Sequence, residues 1–212
     1  MKKIMFSREY GLEQAVLEGA KTQTRRVAVL PDGLGRGDLW HPTMGIDDRG
    51  KVHFTFDCID AKQRDLYPQY QIGEVLAVAQ RYIDLKDCNA FYDALQKADP
   101  TFPLECIKGE KGCYNKMFVK AAWMPHQIRI TNVGIEPLQD ISDGDCRREG
   151  IMEGEFMNTW DTFYYDHWGD VPNHITFRTL RQAFASLIDK TCGKGTWQSN
   201  PWTWNYEFEL IR

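Results

Sequence analysis

No stretch of this 212-residue sequence reaches the ~18–20 consecutive apolar residues of a membrane-spanning helix. Its beginning, Met1-Lys2-Lys3-Ile4-Met5-Phe6-Ser7, carries two lysines but turns polar before building the ~7–15-residue apolar core of a secretion signal. A soluble, cytoplasmic protein with no membrane partner is expected. There is no CxxC or HxxxH pair, and the six cysteines (Cys58, Cys88, Cys106, Cys113, Cys146 and Cys192) lie far apart, so reduced thiols are the expectation. Cys106, Cys113 and His126 fit none of the common zinc spacings, and neither a metal nor a cofactor is expected. Positive charge is also short, with 26 Lys and Arg against 30 Asp and Glu and a net charge of -4. That balance excludes a protein that coats nucleic acid along its whole surface, because such binding needs a broad excess of cations to displace counterions. A local basic pocket remains open. Repeats, low-complexity tracts and linkers are absent too, so residues 1–212 are expected to form one domain.

What is present reads as a mainly β domain with flanking helices. Leu12, Ala15 and Val16 share one helical face, which predicts a short helix over Ser7 to Gly19 with Ser7 as its cap. The segment from Pro31 to Gly50 has the glycine and proline content of a surface loop. Strands are expected at Val52–Phe56, Val75–Val78 and Ile128–Thr131. Trp204, Tyr206, Phe208 and Leu210 alternate with polar residues, which predicts a strand presenting four large side chains on one face. Phe177, Leu180, Phe184, Leu187 and Ile188 mark an amphipathic helix packed over the sheet. Residues near 84–116 and 152–174 read as insertions.

Three clusters carry chemistry. Lys21-Thr22-Gln23-Thr24-Arg25-Arg26 is polar, basic and free of acids. By composition it is a solvated basic turn. If Lys21 is buried beside Arg25 or Arg26, desolvation and like charge lower its pKa and make its amine a usable base. A straight strand would point Lys21, Gln23 and Arg25 to one side and Thr22, Thr24 and Arg26 to the other, so cooperation of Lys21 with Thr24 requires a turn between them. In the second cluster, Ile141 to Gly150, Ser142 or Asp143 can cap a short helix that leaves Glu149 at its C-terminal end. The helix dipole disfavours a carboxylate there, so Glu149 gains from a cationic partner. The third cluster, Gly195 to Trp204, holds Trp197, Trp202 and Trp204, which can stack on nucleobases or fill the core.

Taken in order, Leu17-Glu18-Gly19 leading into Lys21–Arg26, then Gly73-Glu74-Val75-Leu76, Met124-Pro125, Leu138-Gln139-Asp140-Ile141 with Glu149-Gly150, and Asn200-Pro201-Trp202 resemble the ASCH family, a branch of the PUA-like superfamily. The resemblance implies a PUA-like β-barrel with insertions and a cleft for RNA, a nucleotide or a modified nucleoside. It also implies, from small acetylcytidine amidohydrolases of that family, Thr24 as nucleophile, Lys21 as general base and Glu149 as the group orienting the lysine. Gln23, Arg25, Arg26, Trp197, Asn200 and Trp202 would then bind the ligand. The sequence departs from the family pattern at Ala77, Ala79 and Gln80, in a strand where a tryptophan, an arginine and a glutamate are usual, and at His126, where an arginine is usual. An altered pocket wall is expected. Three readings follow: a module binding RNA or a nucleotide, an amidohydrolase of acylated cytidine or a related amide, and a phage-type accessory protein whose insertions contact a protein partner.

Overall fold

The chain opens with strand β1 (Lys2–Ile4) and helix α1 (Leu12–Leu17), followed by strand β2 (Gln23–Val27). The helix is shorter than its apolar spacing suggested. Gly11 sits at φ 65°, in the left-handed region, so the helix starts only after it, and Ser7 contributes its carbonyl to Glu13 N–H rather than a side-chain cap. Strands β3 (Leu39–Ile46), β4 (Val52–Cys58) and β5 (Gln63–Leu66) come next. Half of the expected Pro31–Gly50 loop is therefore strand. β3 is mostly exposed, which hid it from a search for alternating burial, and it is held by pairing to β4, whose Val52, Phe54, Phe56 and Cys58 are buried.

The remaining elements are β6 (Val75–Val78), α2 (Asn89–Ala98), β7 (Gln127–Pro137), α3 (Asp143–Arg148), β8 (Met152–Phe156), β9 (Thr159–Tyr164), α4 (Leu180–Cys192), α5 (Thr196–Ser199) and β10 (Trp202–Ile211). This computed structural model describes residues 1–31, 34–156, 159–165 and 176–211. The expected 152–174 insertion is a β8–β9 hairpin as far as it is described; its residues 157–158 and 166–174 lie outside the described residues. α4 begins three residues after Phe177, which instead bridges to Phe163.

Five strands form the main sheet in the order β1-β6-β7-β10-β2, while β3-β4-β5 and β8-β9 form smaller sheets. The fold is mixed α and β. Among the described residues β1 and β2 stay at opposite edges of the main sheet, so its ladder does not close on itself. β10 is an interior strand between β7 and β2, where its alternating aromatics gain neighbours on both sides. β7 is buried at Ile128 and Ile130, then at Val133 and Ile135; the β-bulge opposite Glu207/Phe208 inserts one residue and changes which parity faces the core. Phe54 packs edge-on to Trp204 and Phe56 to Trp202, tying the small sheet to the main one through one apolar core.

The 84–116 insertion has its own core. Tyr82, Leu85, Phe91, Leu95, Cys113, Val119, Trp123 and Met124 cluster on Ala77 and Ala79, while Leu76 and Val78 face the main core. The small residues at 77 and 79 thus give room to inserted aromatics on the back of β6. Gln80 Oε1 meets His126 Nδ1 at 2.6 Å beside this second core. Gly112 makes the closest approach: a Cβ there would lie 2.6 Å from the Tyr82 ring.

Candidate functional site

The chain leaves α1 through Gly19 and folds back, so that Lys21 N–H donates to Ala15 O at 2.9 Å and Thr22 N–H donates to Arg148 O at 3.0 Å. These two bonds stitch the Lys21-Thr22 pair between the ends of α1 and α3, ahead of the first residue of β2. Lys21 is therefore outside the strand, and the alternation that would separate it from Thr24 does not apply to it. α3 is capped as its sequence suggests, with Ser142 Oγ accepting Asp145 N–H, and Glu149 ends it in helical conformation.

Lys21 Nζ donates to Glu149 Oε2 and to Glu149 O, each at 2.6 Å, and the two side chains are 1% and 5% exposed. The lysine satisfies the carboxylate that the helix dipole disfavours and one of the carbonyls left over at the helix end. Gly150 turns away at φ 100°, a backbone conformation that favours glycine, and a Cβ there would meet Leu12 and Lys21 only at ordinary contact distance. Burial pushes the Lys21 pKa below its ordinary 10.5; Glu149 opposes this shift, and Arg26 and Arg25 reinforce it.

Arg25, with a fully buried side chain, supports the same pair from inside the sheet. Its Nη1 donates to Glu149 Oε1 at 3.3 Å, its Nε to Glu136 Oε1 at 3.0 Å and its Nη2 to Asp145 Oδ2 at 3.1 Å and to Glu136 Oε1. All three nitrogens are committed to carboxylates. Arg25 thus positions Glu149 with four of its five N–H donors engaged, and part of it lines the cavity. Arg26 packs its guanidinium 5.9 Å from the centroid of Phe6, whose other cation is Lys21 Nζ at 6.0 Å. Arg26 Nη2 donates to Met5 O, while its Nε is buried without a partner.

Lys21, Thr24, Arg25, Arg26 and Glu149 open on one cavity of about 350 Å³. Met5, Phe6 and Tyr10 form one wall, Phe184, Leu187, Ile188 and Lys190 of α4 another, and Lys116 reaches in from the insertion. The size and the mix of apolar walls with converging polar groups suit a small organic ligand. Thr24 is 5% exposed, and its hydroxyl makes no hydrogen bond among the described residues. Cys146, on the buried face of α3, is a poor nucleophile, its thiol pushed up to about 12 by burial. Among the described residues no group of three or more His, Cys, Asp and Glu is placed to hold a metal, and all six cysteines are unpaired.

The other expected binding residues lie elsewhere. Gln23 is fully buried and donates through Nε2 to Asn205 Oδ1. Trp197 packs edge-on to Phe184 and under Arg181. Asn200, at φ 43°, ends α5 and accepts Gln139 N–H through Oδ1 at 2.8 Å. Trp202 is 7% exposed in the main core and donates to Arg36 O. All four support the sheet and its corners instead of lining the cavity, and Trp204 is likewise core. Ala77, Ala79, Gln80 and His126 do not line it either; Ala77 and Ala79 pack in the second core and Gln80 meets His126 beside it. Phe6, Tyr10, Lys116, Glu136 and Lys190 were not singled out from the sequence, and Phe184 was read only as part of a helix stripe; each is ordinary in its local context, and only the fold gathers them. Among the described residues no helix is long and apolar enough to cross a membrane.

The chain matches no model of a known protein family, no curated protein and no solved structure.

Proposed function

We propose that the chain is an ASCH-type, PUA-like domain and that its cavity is an amidohydrolase site for an N-acylated cytidine or a similar small amide. The observation carrying this reading is the buried Lys21–Glu149 pair opening on the same cavity as the unpartnered Thr24 hydroxyl. Neutral Lys21 Nζ takes the Thr24 proton while Thr24 Oγ bonds to the acyl carbon. The amide C–N bond then breaks, and the cytosine nitrogen leaves with the proton carried by Lys21. Water, deprotonated in turn by Lys21, attacks the threonyl ester, releasing the carboxylic acid and restoring Thr24. Glu149 holds the amine in place throughout, and Arg25 holds Glu149. The cavity, at about 350 Å³, suits one nucleoside better than a duplex.

Incubation of the purified protein with N4-acetylcytidine and a panel of acyl-nucleosides, followed by chromatography, tests the assignment. Release of cytidine and acetate is expected, with Thr24→Ala slower by about 10^4-fold or more. Unchanged substrate at stoichiometric protein, or full activity of Thr24→Ala or Lys21→Ala, refutes it. Binding of a nucleotide or RNA without turnover is the second reading. It is supported by Arg26, Lys116 and Lys190 around the cavity of an otherwise acidic chain.

A further inference from the structure

A second cavity of about 300 Å³ adjoins the first and shares Ser7, Glu9 and Lys116 with it. Its other walls are Arg8, Glu13, Arg81, Tyr114 and Asn115, so the 84–116 insertion, which lies outside the family resemblance, builds one side of it. We propose that this cavity is a subsite for the neighbouring nucleotide of a single-stranded RNA, and that the insertion makes an oligonucleotide rather than a free nucleoside the preferred ligand. The proposal rests on the nucleoside reading of the first cavity and deepens it.

Three observations converge. Tyr114 presents a ring that is 66% exposed, on a loop that is firmly held. Cys113 beside it is fully buried, Gly112 packs on Tyr82, Tyr82 Oη accepts Lys120 N–H at 2.8 Å, and Asn115 Oδ1 accepts Met117 N–H at 2.9 Å. Lys3 Nζ ties the same loop to β1 by donating to Val119 O at 2.9 Å. A fixed, solvent-facing aromatic ring is what base stacking uses, and it loses little entropy on binding.

The three cations of this cavity meet as many carboxylates, with Arg8 and Arg81 sharing Asp84, Lys116 on Glu13, and Glu9 also in the lining. Arg8 Nη1 lies 2.8 Å and Arg81 Nε 2.7 Å from the Asp84 carboxylate, and Lys116 Nζ lies 3.1 Å from Glu13 Oε2. Such a floor gives a lone phosphate little net attraction, whereas a neutral base with donors and acceptors on its edge suits it. Lys116 stands where the two cavities meet, the place a phosphodiester joining two nucleosides would cross. Glu13 Oε2 and Phe6 O take two of its three N–H donors, which leaves one for a phosphodiester oxygen.

The test is titration of Thr24→Ala protein, which spares the substrate, with free N4-acetylcytidine, with a cytidine trinucleotide and with the trinucleotide acetylated on its central base. The acetylated trinucleotide is expected to bind at least about 10-fold tighter than the nucleoside, as one added stack allows. Tyr114→Ala should reduce that ratio about 5- to 150-fold, the effect of removing one base–aromatic stack. Tyr114→Phe should preserve the ratio, and Tyr67→Ala, exposed at a different groove, should leave it unchanged. A trinucleotide that binds no tighter than the nucleoside, or a gain indifferent to Tyr114→Ala, overturns the subsite. If acetylcytidine is neither bound nor hydrolysed by the wild type while the plain trinucleotide binds through Tyr114, the hydrolase reading falls and the RNA subsite stands.

Discussion

Glu149→Gln should destabilise the protein strongly, and in a way that depends on pH. In the wild type the Lys21 ammonium is 1% exposed and, among the described residues, its one carboxylate partner is Glu149, at 2.6 Å. Neutralising that partner leaves an uncompensated buried cation, which costs about 3–5 kcal/mol. Lys21 retains its bond to Glu149 O, and it can escape the rest of the penalty by losing its proton. The folded pKa of Lys21 is already lowered from 10.5 by burial, and removal of Glu149 takes away the largest opposing effect. Between the folded and unfolded pKa values the unfolded chain binds more protons, so stability rises with pH across that window. Below the folded value the amine is charged in both states and the full cost is felt. Denaturant unfolding at pH 6 and pH 9 measures this. At pH 6 the variant should lose about 3–5 kcal/mol, equivalent to a Tm fall of about 6–20 °C for a chain of this size. At pH 9 the loss should be smaller. Lys21→Met should cost less than Glu149→Gln, because Arg25 Nη1 still holds Glu149. A loss below about 1 kcal/mol at both pH values would refute the buried-pair argument.

Three further outcomes follow from the same geometry. Deacylation should rise with pH and level off below the ordinary lysine value of 10.5, since the active base is neutral Lys21 and burial lowers its pKa; a pH–rate profile indifferent to Lys21→Arg would count against this. Ala77→Trp, which puts a bulky residue on the back of β6, should destabilise by about 1–3 kcal/mol or more through overpacking against the second core, and thermal unfolding reads this directly. Trp197→Ala should lower stability by removing its packing on Phe184 while leaving KM for an acyl-nucleoside within about twofold, because the ring lies outside the cavity; a large KM change would return Trp197 to the site.

The parts of the fold legible in the sequence are those where one face is buried at a regular period. The alternating residues of β10 and the apolar stripe of α4 follow that rule, while Val75–Val78, buried on both faces, was legible as a short continuous apolar run. β3 was missed because both its faces are largely exposed and its stability comes from pairing to β4, a long-range property that local composition does not encode. The small size of Ala77 and Ala79 was legible in the sequence, but what it makes room for was not. Without the insertion packed behind β6, two small residues read as a changed pocket wall.

The residue types at the candidate site and the capped helix ending at Glu149 were determined by the sequence alone. It also contained the need that brings them together, since a carboxylate at a helix C-terminus is poorly placed until a cation meets it. Tertiary structure decided which cation. The fold-back from α1 onto α3 gives Glu149 to Lys21, and the register of β2 against β10 sends Arg25 to Glu136, Asp145 and Glu149. It also decided that Trp197, Asn200 and Trp202 serve packing, and that Lys116 and Tyr114 of the insertion border the cavities. Contacts between residues more than a hundred positions apart depend on how sheets and helices pack, and no local spacing specifies them.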